Sequence, residues 1–379
     1  MGYIYANTMM VLCITESILG LIMLLMRVAA DELNVIYRRS RYFLAAAFLC
    51  LALNGLVHGL FQPRSTSILL AVAFNIVTYY LMAILIGMAF IPLLNLTGFG
   101  RRRLKMLLAR WSITSIALAL SQIFKTDSQI TLGVTVIGTS VFLCDTVFIA
   151  RRFFRIYHSM KVHITENYTN ELEVFIKYLY KSVIALIAIG TSSVVITYLP
   201  HYVIVIYTIT AIIIFVYVFL SFNNYSLYVN FISSAVVDYA LDNNYAREHE
   251  EIIQEETKEQ IIYDKKQANA RVEQFNSLIA KWIEEKRYCQ SNISLNSLAA
   301  DFGTNRQYLY QYLKEVRTTN FRQFVNSLRI EESKRLIKEE HKNISEAAEA
   351  VGFKSVSHFS TVFKDMVGKS PTVWSLEEQ

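Results

Sequence analysis

Residues 294–316 read SLNSLAADFGTNRQYLYQYLKEV, and residues 343–366 read NISEAAEAVGFKSVSHFSTVFKDM. Each stretch begins with a residue that can cap a helix, carries small Ala residues in a short first helix, and has a Gly at the turn before a second helix. Two consecutive helix-turn-helix units therefore decide the fold of this end of the chain. The predicted helices are Leu295–Phe302, Asn305–Val316, Ile344–Val351 and Ser355–Met366.

The two stretches also form a weak internal repeat. Phe302-Gly303 corresponds to Val351-Gly352, and the second turn is one residue longer than the first. An apolar-striped helix, Phe321–Lys338, is predicted between the two units and would be ~27 Å long at ~1.5 Å per residue. A helix of this length would hold the second helices of the two units a fixed distance apart.

The second stretch resembles the DNA-binding domain of the AraC (arabinose-regulator) family of bacterial transcription factors. The resemblance covers roughly the last hundred residues and rests on residues 347–353 (AAEAVGF), Phe359, residues 362–364 (VFK) and residues 368–371 (GKSP). One departure is Trp374, where a Tyr followed by Arg is usual; Ser375 follows here, so a phosphate contact is lost while an aromatic ring still covers the core. The resemblance implies that residues 271–379 bind double-stranded DNA, with RNA polymerase as a further candidate partner.

By analogy with the family, the second helix of each unit is expected to face DNA. In the first unit, Gln307, Tyr310 and Gln311 are candidates for base edges, and Arg306 and Lys314 for phosphates, because they occupy outward-facing positions. The matching positions of the second unit are small and weakly polar, so the first helix is expected to carry most of the specificity. These positions are Val356, Ser357, Ser360 and Thr361.

The chain before Phe222 has a different character. The sequence is 54% hydrophobic and 13% aromatic, and the apolar residues concentrate in seven blocks long enough to cross a bilayer, which takes ~20 residues. A buried helical core is the alternative, but a core helix would show a polar face, and residues 205–220 (VIYTITAIIIFVYVFL) show none. The predicted blocks are Thr8–Met26, Phe43–Leu60, Ser67–Leu93, Met106–Phe124, Ile130–Ala150, Tyr178–Leu199 and Tyr202–Phe222.

The distribution of charge predicts the orientation of these blocks. Fifteen Lys and Arg residues lie in or beside the first, third and fifth connections, whereas Arg64 and Lys125 alone lie on the other side. The positive-inside rule then places the N-terminus outside and the C-terminal region in the cytoplasm of a bacterium, with a multi-pass domain in its inner membrane. Residues 271–379 carry 16 basic and 14 acidic residues, so phosphate binding must rely on local faces rather than on overall charge.

A few polar residues interrupt the apolar blocks: Glu16, Asn54, His58, Asn75 and Asp145. An ionisable group costs roughly 2.5–3.5 kcal/mol at the centre of a bilayer, so it usually faces the bundle interior or water. One interpretation is an intramembrane site for a small-molecule or lipid signal. The other is a structural pair, or a protonated acid that is hydrogen-bonded between helices; Asp145 could also reach the cytoplasmic interface.

Residues 223–270 are acidic, with nine Asp or Glu against four Lys or Arg. Val229, Ile232, Val236 and Tyr239 follow a 3-4-3 spacing, which is typical of a coiled-coil stalk and would give a homodimer; a solvated linker helix is the alternative. Beyond the linker, Arg271–Lys286 is amphipathic and is predicted to be the first helix of the DNA-binding domain.

The sequence offers no basis for an enzyme. It contains no nucleophile and base in a recognisable arrangement and no Gly-rich phosphate loop, and the four cysteines have no paired spacing. We therefore expect no cofactor and no metal.

Taken together, the sequence predicts an all-α protein with three parts: a seven-helix transmembrane domain (residues 1–222), a linker helix (residues 223–270) and an AraC-type double helix-turn-helix domain (residues 271–379). The leading hypothesis is a membrane-embedded regulator that couples a membrane or extracellular signal to operator binding. Two alternatives stay open: a transporter or channel-like protein with a regulatory or tethering helix-turn-helix domain, and a degenerate domain that binds protein.

Overall fold

The computed structural model describes residues 2–28, 35–95, 100–124, 128–169, 173–227, 235–236, 239 and 258–378. Within these residues the chain is helical, and the one β-type pairing is an isolated antiparallel bridge between Tyr168 and Ser294. The chain divides into two units. Unit 1 comprises residues 1–160 and 174–237, and unit 2 comprises residues 161–173 and 238–379.

Unit 1 contains seven helices that are long and apolar enough to cross a membrane. They match the seven predicted blocks one to one. Several ends differ from the prediction by up to six residues, and two differ by more: the second helix begins at Val35 rather than Phe43, and the fifth continues to Asn167 rather than ending at Ala150. The reason is that hydropathy locates only the apolar part of a helix, whereas the backbone hydrogen bonds continue through polar turns. The helices are α1 (Gly2–Leu25), α2 (Val35–Leu60), the short α3 (Pro63–Thr66), α4 (Ile68–Phe90), α5 (Arg101–Ile123), α6 (Ser128–Asn167), α7 (Glu173–Ile196) and α8 (His201–Leu227).

Small residues allow α1 and α2 to pack closely. A Cβ atom on Gly55 would lie 2.9 Å from the carbonyl oxygen of Met9, and one on Gly59 would lie 2.7 Å from the sulfur of Met10. Because lipid tails are as apolar as the side chains, helices in a bilayer gain from such close backbone approach rather than from the hydrophobic effect. The glycines of α2 therefore favour this helix pair.

Unit 2 contains the predicted helix-turn-helix helices, with ends within a few residues of the prediction. The first helix of the domain begins at Lys258 rather than Arg271, and the helix from Arg306 changes to a π-helical turn over Tyr312–Val316. The helices are α9 (Lys258–Glu284), α10 (Leu295–Asp301), α11 (Arg306–Gln311), α12 (Phe321–Glu339), α13 (Ile344–Ala350), α14 (Val356–Val367) and α15 (Pro371–Glu378), with a 3-10 turn at Arg287–Cys289.

The predicted stalk lies mostly outside the described residues. Val229, Ile232 and the charged run from Glu248 are not among them, while Val236 is buried and Tyr239 is partly buried. The coiled-coil dimer stays a prediction.

Two apolar cores organise unit 2, and α12 contributes to both. Phe321 and Val325, in the first half of α12, pack with side chains of α9, α10 and α11. Ile330 and Ile337, in the second half, pack with α13 and α14, and Trp374 covers that core from α15. Fully burying one such side chain stabilises a fold by roughly 1.5–3 kcal/mol, so α12 is held at both ends as a rigid spacer.

Candidate nucleic-acid interface and polar cluster

The first helix-turn-helix unit is positioned by two caps. The Ser294 hydroxyl accepts the amide of Ser297 at 3.1 Å, and the Ser297 hydroxyl accepts the amide of Ser294 at 3.0 Å, which forms a reciprocal capping box at the start of α10. Gly303, at φ +62°, turns the chain, and the Asn305 side chain accepts the amide of Gln307 at 2.9 Å to start α11. These contacts are local, which is why the sequence alone predicts them.

The second unit repeats this arrangement with one added constraint. Asn343 and Glu346 form the capping box of α13, and Ser355 caps α14 through the amide of His358. Between the helices, Gly352 has φ +87°, and a Cβ there would lie only 2.3 Å from the carbonyl oxygen of Cys289. The turn of the second helix-turn-helix unit therefore packs directly against Cys289, the last residue of the 3-10 turn that precedes the first unit.

A buried arginine, not noticed in the sequence, stabilises this junction. Arg329 of α12 is 1% exposed. Its Nε donates to the carbonyl of Tyr288 at 2.8 Å, its Nη2 donates to the carbonyl of Gln290 at 2.7 Å, and its guanidinium lies 5.5 Å from the centre of the Phe353 ring. Burial lowers the pKa of Arg329 to about 10, so it remains charged near neutral pH. It is a structural cation and is not placed to contact DNA.

The candidate residues of the first recognition helix differ in exposure. Gln311 and Lys314 are exposed, and Gln307 and Tyr310 are partly buried. Arg306 is 9% exposed, so its side chain is not presented outward in this structure as was expected, and its role at DNA phosphates stays a prediction. Residues 161–173, which the predicted domain division assigned to the membrane domain, belong to unit 2, and the charge of Arg306 acts on the buried imidazole of His163 in that segment.

The end of α6 lies beside the first recognition helix. The Thr169 hydroxyl donates to the carbonyl of Ile293 at 3.1 Å, next to the bridge between Tyr168 and Ser294. The Tyr310 hydroxyl lies 3.5 Å from Oε2 of Glu166, which is long for a hydrogen bond, and Lys314 donates to the same hydroxyl at 3.1 Å. A carboxylate thus lies beside Tyr310, one of the residues predicted to face base edges of DNA.

The second recognition helix presents its predicted positions with less cover. Val356, Ser357 and Thr361 are exposed, and Ser360 is partly buried. Two exposed cations that were not among the predicted positions also belong here: Lys354 in the turn before α14 and Lys364 on α14. A search for basic residues beside the second helix of each unit would have found both.

The structure brings three of the five predicted intramembrane residues together. His58 Nε2 lies 2.9 Å from the Asn75 side-chain oxygen, which also accepts from Asn54 at 3.0 Å. Since that oxygen is an acceptor, His58 carries its proton on Nε2, and Nδ1 accepts from the Tyr5 hydroxyl at 2.9 Å. The second N–H of Asn54 is donated to Thr78 at 2.8 Å.

This polar cluster joins four helices or their ends, because Asn75 also donates to the Thr197 hydroxyl at 3.0 Å just beyond α7. The cluster lies beside a cavity whose volume, including the part open to solvent, is about 570 Å³. Tyr5, Asn54, His58 and Asn75 are among the residues that line this cavity. Tyr5, Thr78, Thr197 and Arg64 were missed in the sequence, Arg64 having been read only as a loop charge.

Glu16 and Asp145 lie outside that cavity. Glu16 is fully buried, and neither of its carboxylate oxygens has a hydrogen-bond partner among the described residues. Asp145 forms an ion pair with Arg110 at 3.1 Å and accepts a hydrogen bond from Tyr80, which joins α4, α5 and α6. Asp145 therefore has the geometry of the structural pair that was one of the two interpretations.

Metal ligation has no geometric support in the described part of the chain, where no group of three or more His, Cys, Asp or Glu side chains could hold an ion.

Comparisons with known proteins concern the C-terminal region. A family model described as "Helix-turn-helix domain" matches residues 298–376. The chain is 38% identical over 94 residues to the TCP pilus virulence regulatory protein of Vibrio cholerae serotype O1, covering 23% of this chain and 34% of that protein. It is 32% identical over 113 residues to the probable transcriptional regulator LumQ of Photobacterium leiognathi, covering 30% of this chain and 43% of that protein.

A third relative is the Msm operon regulatory protein of Streptococcus mutans serotype c, 28% identical over 89 residues, or 24% of this chain and 32% of that protein. The chain thus spans about a third to less than half of the length of these relatives. No solved structure gives a significant match to the chain. These similarities confirm the AraC-type resemblance of the C-terminal region.

Proposed function

We propose that this chain, whose C-terminal region is an AraC-type helix-turn-helix domain, is a transcription regulator that binds operator DNA while unit 1 is embedded in the bacterial inner membrane. A signal in the membrane or outside the cell would change its DNA binding. The observation that carries the proposal is the joining, in one chain, of seven helices of membrane-spanning length and two capped helix-turn-helix units on a common spacer helix.

DNA binding is supported by the geometry of unit 2. The spacer α12 has 19 residues, or ~28 Å at ~1.5 Å per residue, which is close to the ~34 Å between successive major grooves. Gln307 and Gln311 would read base edges from the first recognition helix. Lys314, together with Lys364 of the second unit, would bind phosphates, since a cation close to the groove neutralises the DNA backbone.

The membrane location is supported by the surface of unit 1. Large apolar side chains are exposed on its long helices, including Ile113 (68%), Ile137 (65%) and Ile213 (65%). Contiguous apolar surface of this kind is unfavourable in water and favourable against lipid tails. The asymmetry of Lys and Arg between the two ends of the helices adds the orientation, with the C-terminal domain in the cytoplasm.

Signal coupling has a candidate physical route in α6. This single helix begins in unit 1 and its last turns belong to unit 2, where Glu166 and Thr169 contact or approach the first helix-turn-helix unit. We infer that these contacts hold the first recognition helix in a state that binds DNA weakly. A displacement of α6 would release Tyr310 and Lys314 and uncover Arg306.

The test of this function uses the full chain in lipid nanodiscs. Selection from random duplexes would identify a preferred sequence, and titration at several salt concentrations would measure its affinity against a scrambled duplex. We expect tighter binding of the selected duplex and a steep loss of affinity with salt, because phosphate contacts release counterions. Equal, salt-independent binding of both duplexes would rule out the regulator and favour a domain that binds protein.

The membrane half of the proposal needs its own measurement. A reporter fused after residue 227 should be active only in the cytoplasm, and the full chain should remain with the membrane fraction after extraction with alkaline carbonate. Release of the intact chain into the aqueous fraction would contradict the membrane assignment without affecting the DNA-binding result.

A further inference from the structure

The cavity beside the polar cluster has walls of two kinds. The cavity is lined by the cluster residues Tyr5, His58 and Asn75 and by apolar side chains, including Leu51 and Phe215. Such a cavity fits a molecule with a polar head and an apolar body.

The one charged side chain among the described residues that line this cavity is Arg64. It sits on the short helix α3, and its Nη2 donates to the backbone carbonyl of Leu199. Its Nη1 is buried and finds no acceptor among the residues that the structure describes. The Arg64 side chain as a whole is only partly buried, but an unused charged donor that is out of contact with solvent is costly, and an anionic acceptor in the cavity would satisfy it.

The neighbouring groups limit the charge of that anion. Several groups of the cluster are already paired within it: both N–H groups of Asn54 are donated, and the Asn75 oxygen accepts twice. No carboxylate and no second Lys or Arg lines the described part of the cavity, so it offers compensation for about one negative charge. A monoanion therefore fits better than a phosphate dianion, and a cation would be repelled.

The cavity lies at one end of the helix bundle. Its walls come from the start of α1, the end of α2, the region of α3, the start of α4, the end of α7 and the start of α8. In the orientation that the charge asymmetry predicts, this end faces away from the cytoplasm.

We propose that this cavity binds a small amphiphilic carboxylate, with the carboxylate on Arg64 and the apolar body against Leu51, Ala211 and Phe215. The site would supply the ligand class of the signal in the proposed function, on which its regulatory meaning rests. Binding itself does not depend on DNA. The two ideas can therefore fail separately.

The test is thermal unfolding of the full chain in nanodiscs, with octanoate, decanoate and phenylacetate as probes and the matching primary amides as neutral isosteres. We expect at least one carboxylate to raise the unfolding temperature of the wild type more than its amide does, and the Arg64→Gln variant to lose this difference, with affinity about ten-fold or more weaker. Arg102→Gln is the matched control, because Arg102 is an exposed cation at the start of α5 that does not line the cavity.

Three outcomes would overturn the proposal: no response to any of the carboxylates, equal responses to acid and amide, or an unchanged response in Arg64→Gln, which would indicate partition into lipid. If Arg64→Gln does not fold, Ala211→Leu decides instead, since it fills the cavity and leaves Arg64 in place; it should abolish the response to the carboxylate. Binding of the selected duplex without any probe would be measured in parallel, and its loss would count against the proposed function and not against the cavity.

Discussion

The two helix-turn-helix units have the same local design but different surroundings. Both begin with a capping box and turn at a glycine of positive φ. In the first unit nothing lies within 4 Å of the position that a Cβ on Gly303 would occupy, and the recognition helix is approached by the end of α6. In the second unit, the turn at Gly352 packs closely against the backbone of Cys289. The residues of this unit that are predicted to contact DNA are small and mostly exposed. In the proposed function, the first unit would therefore provide specificity and regulation, and the second would anchor the domain on DNA.

The largest effect should come from the two turns. Gly352→Ala would place a Cβ in a left-handed conformation and 2.3 Å from a backbone oxygen, and we expect it to lower the free energy of unfolding by about 3 kcal/mol or more. Gly303→Ala has only the backbone cost, about 1–2 kcal/mol. Urea unfolding of residues 258–378 would measure both, because side chains between Val272 and Trp374 form its two cores. Equal losses of stability would show that the two turns tolerate a Cβ equally well. That result would contradict the structural difference between the surroundings of Gly303 and Gly352.

The next effect concerns DNA specificity. Replacing Gln307 or Gln311 by Ala should cost about 1–3 kcal/mol at the preferred duplex and relax the sequence preference, whereas Ser357→Ala and Thr361→Ala should each cost less than about 1 kcal/mol. Fluorescence anisotropy with the selected and scrambled duplexes would separate specific from general losses. Gln323→Ala is the control, since Gln323 is an exposed glutamine of α12 outside both recognition helices.

A larger loss from the serine and threonine than from the glutamines would reverse the comparison. It would assign base reading to the second unit and leave the first with a supporting role.

A smaller effect should come from the end of α6. The Thr169→Val and Glu166→Gln double variant removes the hydrogen bond to Ile293 and the carboxylate facing Tyr310, and we expect it to tighten DNA binding by the full chain about five-fold, near 1 kcal/mol. Thr165→Val is the control, because among the described residues its hydroxyl donates to the carbonyl of Lys161 within the same helix. If the double variant binds DNA as the wild type does, α6 does not hold the first unit back.

How much of this the sequence predicts depends on the range of each contact. Ser294 and Asn343 were identifiable as caps because their partners lie three residues away. The close contact of Gly352 with Cys289 could not be predicted, since the two residues are distant in sequence. The burial of Arg329 could not be predicted either, because arginine is usually exposed. Local chemistry thus predicts the helices, while the junction between the two units needs the fold.

The same distinction explains the membrane half. Asn54 and His58 are one helical turn apart, so the sequence places them on one face of α2, and Asn75 was found as a polar residue in an apolar block. Tyr5 and Thr197, which complete the cluster, come from other helices and carry no signal of their own. Arg64 was assigned to a loop because counting Lys and Arg residues gives only the sign of each charge and the side of the membrane on which it lies. Such a count does not show that the guanidinium lines a cavity.

The smallest predicted effect tests whether an ion pair also connects the end of α9 to α12, the helix that lies between the two helix-turn-helix units. Hydrogen bonds from Arg335 and Lys286 hold the pKa of the Glu332 carboxyl below its ordinary value, and Lys286 follows α9 while Glu332 and Arg335 lie on α12. A carboxyl with a lowered pKa stabilises the fold above its unfolded pKa, ~4.3, and this contribution is lost as pH falls further. Glu332→Gln should therefore cost about 0.5–1 kcal/mol at pH 7 and almost nothing near pH 3, measured by urea unfolding of residues 258–378.

Glu331→Gln is the control, because Glu331 is a more exposed neighbour whose ion pair among the described residues is with Lys334. We expect it to show a smaller loss of stability than Glu332→Gln. A loss from Glu332→Gln that is the same at pH 7 and pH 3 would mean that the side chain acts by packing and not by its charge. The two helix-turn-helix units would then be connected by Arg329 and by the close contact of Gly352 with Cys289.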